Sequence, residues 1–192
     1  VSSSAASDVY KRQHLHIEPD NQQERLSALK SALSLGELMF LSTCNRVEFT
    51  FTTSKKVTPA FLDQFFDLLY PELPNEERHQ FATNADTFKG IAAVEHQLSV
   101  ASSVDSMVVG EREIITQVRN AFEHCREIGL TGDLIRIMMR HTIETAKRVY
   151  TETNIATRPV SVVSLAYHKL RDLNIPLEAR ILIVGAGVTN TN

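Results

Sequence analysis

Apolar residues recur at three- and four-residue spacing over Leu26, Leu29, Ala32 and Leu33, which predicts a helix that Asp20 caps and Gly36 ends. Before it, VSSSAASDVYKRQ at 1–13 has no hydrophobic period and reads as a disordered or foreign lead, outside the fold. Glu37 to Leu41 reads as a short buried strand and Val47 to Thr53 as an alternating one, with the polar run STCNR joining them at 42–46. Pro59 opens a helix to about Tyr70, which Pro-Glu-Leu-Pro at 71–74 stops. Asn84 or Asp86 starts the next, carrying Phe88, Ile91, Ala92, Leu98 and Ala101. A small-residue joint at Ser102–Ser106 leads through Gly110 into a helix with Ile114, Ile115, Val118, Phe122, Cys125 and Ile128 on one stripe, ended by Gly129 and Gly132. Asp133 caps a longer helix whose apolar stripe is Leu134, Met138, Thr142, Thr145 and Val149. Arg136, Arg140 and Lys147 fall opposite it as a basic edge. Arg158-Pro159 interrupts the pattern, Ser161–Leu173 resumes as a helix, and the apolar strand of Arg180–Val184 runs into Gly185-Ala186-Gly187.

The expected architecture is an α+β domain, a small sheet with several helices, over 14–157. A helical connector at 158–178 follows, and then, at 179–192, the first strand and Gly-rich turn of an α/β Rossmann domain. The 192 residues, 43% hydrophobic, suit one domain and a fraction. Only 7 glycines and 6 prolines argue for long helices rather than an all-β barrel. A net charge of -3 excludes a bulk positive field, so any nucleic-acid contact must be local. No run suits a membrane span or a secretory signal, which makes a cytoplasmic location the expectation. The chain starts at Val1 rather than Met and stops at Asn192 just after the glycine turn, so both ends read as cut.

Candidate chemistry centres on Cys44. In extended backbone Arg46 faces the same way, and a guanidinium beside a thiol favours the nucleophilic thiolate. A cysteine at a strand end is equally a small buried hydrophobe. Cys125, on an apolar stripe, reads as core. The two cysteines give neither a disulfide framework nor zinc spacing, and no metal site is expected. The GAG turn after a strand is the setting of a dinucleotide fingerprint, although Asn190 replaces its third glycine; a plain glycine turn remains the other reading. Ser106, Glu111, Arg112, Glu113 and Gln117 surround a helix start, where acidic side chains serve either as dipole partners or as holders of a zwitterionic ligand. His96 lies off its helix's apolar stripe and faces solvent or a cleft, where it suits proton transfer.

The runs LSTCNRVEFTF (41–51), SVASSVDSMVVGEREIITQVRNAF (99–122), AKRVYTET (146–153) and ILIVGAG (181–187), in this order and spacing, closely resemble glutamyl-tRNA reductase. The resemblance implies NADPH-dependent reduction of glutamyl-tRNA(Glu) to glutamate-1-semialdehyde through a cysteine thioester, the first step of tetrapyrrole synthesis from glutamate. Cys44 matches the nucleophile and His96 a histidine important for activity. Thr43, Asn45 and Arg46 match one substrate-binding segment, and Ser106, Glu111, Arg112, Glu113 and Gln117 a second. Gly185, Ala186, Gly187, Val188, Thr189 and Asn190 match the start of the NADP site. The family's opening Asn-His-Lys strand has no counterpart at 1–13, which reads as foreign sequence in its place. The implied partners are charged tRNA, a second subunit joined through a C-terminal region, and the aminomutase that takes the product. These 192 residues alone are expected to bind NADPH poorly and to reduce nothing. Two other readings use the same residues: a non-catalytic tRNA-binding or regulatory module, and an NAD(P)-dependent dehydrogenase with an unrelated N-terminal domain.

Overall fold

The computed structural model describes residues 2–3, 14–106, 109–155 and 169–173. The expected Rossmann start at 179–192, and the expected connector apart from 169–173, lie outside them. The described part is mostly helical with a small antiparallel sheet, as expected of the α+β unit.

Strands β2 (Glu37–Ser42) and β3 (Val47–Thr52) form an antiparallel hairpin in which Phe40 pairs Phe49 and Ser42 pairs Val47. The lead, expected to stand outside the fold, contributes a two-residue strand, β1 (Ser2–Ser3), antiparallel to Val47 and Glu48. The outer edge of β3 offers unpaired backbone groups, and β1 satisfies some of them. The outer edge of β2 is closed differently. Leu38 N–H donates to the Leu130 carbonyl (3.0 Å) and Phe40 N–H to the sulfur of Cys125 (3.4 Å).

Helix α1 (Pro19–Leu33) has Asp20 inside its first turn rather than as its cap, because Pro19 already occupies the first turn and Glu18 the cap position. It ends at Ser34, in left-handed backbone (φ 57°), not at Gly36. Gly36 has another purpose: a Cβ there would sit 2.7 Å from Thr52 Oγ1 where the chain enters β2. Helix α2 (Pro59–Leu69) starts as expected, with Thr58 Oγ1 accepting from Phe61 N–H (3.2 Å). Its aromatic face lies on the hairpin, with Phe65 5.0 Å from Phe49 and 5.8 Å from Phe51 between ring centres.

Helix α3 (Asn75–Asn84) had no sequence expectation, since only Phe81 and Ala82 are buried and they are adjacent rather than periodic. Phe81 stacking on Phe66 (6.0 Å) and Arg78 pairing with Asp67 (2.6 Å) hold it to α2. The following helix, α4 (Ile91–Ala101), starts after Gly90 (φ 58°), so Asn84 closes α3 and Phe88 precedes α4.

Helix α5 (Glu113–Glu127) buries Ile114, Val118, Phe122 and Cys125 against β2. In α6 (Asp133–Glu152) the buried stripe is Ile135, Met139, Thr142 and Ala146, rotated from the expected one; Leu134 is 64% exposed. The rotation has a tertiary cause. Glu37 of β2 accepts from the N–H groups of Gly132 (2.9 Å), Leu134 (3.0 Å) and Ile135 (2.8 Å), and so fixes the phase of the first turn. Asp133, the expected cap, pairs with Arg136 instead (2.8 Å).

Candidate active site

The site is built at the tip of the hairpin. Thr43 N–H donates to the Arg46 carbonyl (2.8 Å), while Thr43 Oγ1 accepts from the N–H groups of Arg46 (3.1 Å) and Asn45 (3.3 Å). This Thr-stapled turn leaves Cys44 and Asn45 as its two central residues. The Cys44 thiol is exposed, whereas that of Cys125 is buried and burial pushes it up from the usual thiol range. The reading of Cys125 as core is thereby met.

Arg46 does not offer its fork to the thiol. The side chain turns inward, where Nη1 donates to Glu48 Oε1 (2.8 Å) and lies 3.6 Å from Asp105 Oδ2, and Nη2 donates to the Asp105 carbonyl. Glu48 explains this, being a buried acceptor near the start of β3. Residues alternate across β3, so with Phe49 and Phe51 against α2, Glu48 faces the other way, onto α4. There His96 Nε2 meets its Oε1 at 3.1 Å and Gln97 Nε2 donates to its Oε2 at 3.1 Å. Burial pushes the Glu48 carboxyl up, but the hydrogen bond and charge of His96 and the charge and hydrogen bond of Arg46 outweigh it, and the group ends below its ordinary range. The expected alternation of β3 fails for the same reason: Val47, Glu48 and Phe49 are all buried, because α4 covers the polar side.

His96 is thus neither on a solvated face nor in the apolar core. Its ring stacks on Phe88 at 4.2 Å, nearly parallel, and its Nδ1 lies 3.8 Å from Asp105 Oδ2. A cavity of about 660 Å³ is lined by Glu48, His96 and Gln97 together with Lys55, Lys56 and Lys89.

The second segment is anchored by a residue the sequence reading passed over. The hydroxyl of Tyr150 donates to the Glu111 carbonyl (2.8 Å), and the Arg112 guanidinium lies over its ring (5.8 Å). The adjoining loop closes through Ser103 (φ 58°), whose Oγ accepts from Gly110 N–H (3.1 Å). The structure therefore brings the Thr43–Arg46 turn, His96 and Asp105 together, with Ser106 next to Asp105 in the chain. Glu113 and Gln117 pair with each other (3.3 Å) on the first turn of α5. Gly185 to Asn190 lie outside the described residues. Glu48 and Asp105 are further members that sequence reasoning missed. The signal for Glu48 was a carboxylate between Val47 and Phe49, two residues from an arginine on the same strand face. Among the described residues no helix is long and apolar enough to cross a membrane, and no cluster of three or more His, Cys, Asp or Glu side chains is placed to hold a metal ion.

Residues 2–153 match the family model for the glutamyl-tRNA(Glu) reductase N-terminal domain. The chain is 33% identical over 186 residues to the glutamyl-tRNA reductase of Syntrophus aciditrophicus, covering 96% of this chain and 44% of that protein. It is 38% identical over 178 residues to that of Corynebacterium urealyticum, covering 84% and 35% respectively. The solved glutamyl-tRNA reductase from Methanopyrus kandleri superposes with a TM-score of 0.67 at 25% identity, over 89% of this chain and 39% of that one. The chain spans less than half the length of these relatives. With the family model matched over most of its length, this chain belongs to the glutamyl-tRNA reductase family through that family's N-terminal domain.

Proposed function

We propose that this chain is the acylating part of a glutamyl-tRNA reductase, acting in porphyrin synthesis from glutamate. One observation carries the reading: an exposed thiol, Cys44, stands at the tip of a turn braced by Thr43, next to a buried Arg46–Glu48–His96 cluster. The Cys44 sulfur bonds to the glutamyl carbonyl, the ester C–O bond to the tRNA 3′ end breaks, and the released oxygen takes a proton. His96, within the same cluster, is suited to moving that proton. Arg46 and Ser106, by the motif, would orient a substrate carboxylate or ammonium; to reach the Arg46 fork a carboxylate must displace Asp105 from it. The exposed basic edge of α6, Arg136, Arg140 and Lys147, suits the phosphates of tRNA.

NADPH would supply the hydride that reduces the thioester, and Gly185 to Asn190 would begin its site by the motif alone. The soluble cytoplasmic setting, the homodimer and the hand-over to an aminomutase belong to the same proposal. The test is Cys44→Ser mixed with glutamyl-tRNA in the absence of nicotinamide cofactor. Release of uncharged tRNA by the unaltered chain, abolished in the variant while tRNA binding persists, is the expected result. Equal release by both, or binding without any release by either, refutes the acylating role and favours a tRNA-binding module.

A further inference from the structure

We infer that Glu48 is a positioning residue that fixes His96 in the Nε2-protonated tautomer and leaves Nδ1 as the nitrogen that exchanges protons at the reacting centre. This rests on the proposed thioester chemistry and names the atom that serves it. The side chain of Glu48 is 2% exposed, and its Oε1 receives both Arg46 Nη1 at 2.8 Å and His96 Nε2 at 3.1 Å. An ionised carboxylate only accepts, so Nε2 must carry the hydrogen. Gln97 holds the other oxygen at 3.1 Å and Phe88 holds the ring plane at 4.2 Å, so neither partner swings away.

The remaining nitrogen is turned toward Asp105. Nδ1 lies 3.8 Å from the Oδ2 of Asp105, whose side chain is half exposed. Among the described residues, the charged groups paired around His96 are Glu48 from β3, Asp105 from the loop after α4, and Arg46, which touches both. With Nε2 turned to a buried carboxylate, Nδ1 is the ring nitrogen left to take the thiol proton as the sulfur–carbon bond forms. It then returns that proton to the ribose oxygen as the carbon–oxygen bond breaks. The proton count closes, no electrons are transferred, and the imidazolium formed in between is flanked by two carboxylates.

The tautomer is measured directly in the 15N-labelled chain by long-range proton–nitrogen correlation at mildly alkaline pH, with no substitution required. The expected spectrum shows a pyrrole-type Nε2 and a pyridine-type Nδ1 for His96. A protonated Nδ1 overturns the inference. In Glu48→Gln the amide can donate as well as accept, so the bias should weaken. The rate of Cys44 thioester formation from glutamyl-tRNA should then fall on the order of 10²-fold, with a displaced pH profile. An unchanged tautomer, rate and pH profile in a folded Glu48→Gln variant also overturns it. If the unaltered chain forms the adduct but carries Nδ1–H, the positioning claim fails and the thioester reading stands. If it shows the expected tautomer but never forms the adduct, the thioester reading fails, and the proton-transfer role of Nδ1 with it.

Discussion

Replacing Glu37 by alanine should destabilise the protein by removing a cap that joins elements about half the chain apart. In the fold Glu37 accepts three backbone N–H groups at the start of α6, at 2.9, 3.0 and 2.8 Å, although 95 or more residues separate it from them. Losing a helix cap costs about 0.5–2 kcal/mol. A carboxylate at a helix N-terminus adds about 0.3–1 kcal/mol through the dipole. Glu37 is half-buried, so the freed N–H groups regain only part of their hydration, and the total should lie near 2–3 kcal/mol. With a urea slope of about 2 kcal/mol per molar, the unfolding midpoint should fall by about 1–1.5 M. Glu37→Gln keeps an acceptor without the charge and should lose about half as much. Amide exchange should show Gly132, Leu134 and Ile135 losing protection first. A midpoint shift below about 0.25 M, the range of an ordinary surface substitution, would refute the cap as the determinant of the phase of α6.

Three further outcomes are expected. Because its folded value is depressed, Glu48 contributes stability that is complete above its unfolded value near 4.5 and is lost as pH falls below that, through the lower folded value. Urea midpoints should therefore drop more steeply on acidification in the unaltered chain than in Glu48→Gln; parallel curves would contradict this. Gly36→Ala places a Cβ 2.7 Å from Thr52 Oγ1 and should cost about 1–3 kcal/mol, of which Gly36→Ala/Thr52→Ala recovers most; additive losses in the double variant would show that the clash is not the cause. Iodoacetamide should alkylate Cys44 in the folded protein and Cys125 only on unfolding, as peptide mapping reads; early modification of Cys125 would contradict its burial.

The elements legible in the sequence are those whose causes are local. The hairpin followed from two apolar runs around STCNR, α2 from Pro59 and its aromatic stripe, and the buried Cys125 from helical spacing. What the sequence hid has long-range causes. The phase of α6 is tied to Glu37 on another element, so the stripe expected from spacing alone is not the buried one. Helix α3 exists because Phe81 and Arg78 dock on α2, which its polar composition does not reveal. Strand alternation puts a glutamate between two apolar residues in water, whereas Glu48 is buried because Arg46, His96 and Gln97 converge on it. The direction of Arg46 follows from that convergence. Its place in the motif was readable and its partner was not.

The central claim is that Cys44 becomes acylated by the glutamyl group of charged tRNA. Mass spectrometry of the chain quenched in acid after mixing with glutamyl-tRNA, with no nicotinamide cofactor present, tests it most directly. The account predicts one glutamyl adduct, mapped to the peptide bearing Cys44, labile to hydroxylamine and absent from Cys44→Ser. An adduct on Cys125 or elsewhere, or persistence of the adduct in Cys44→Ser, would contradict it.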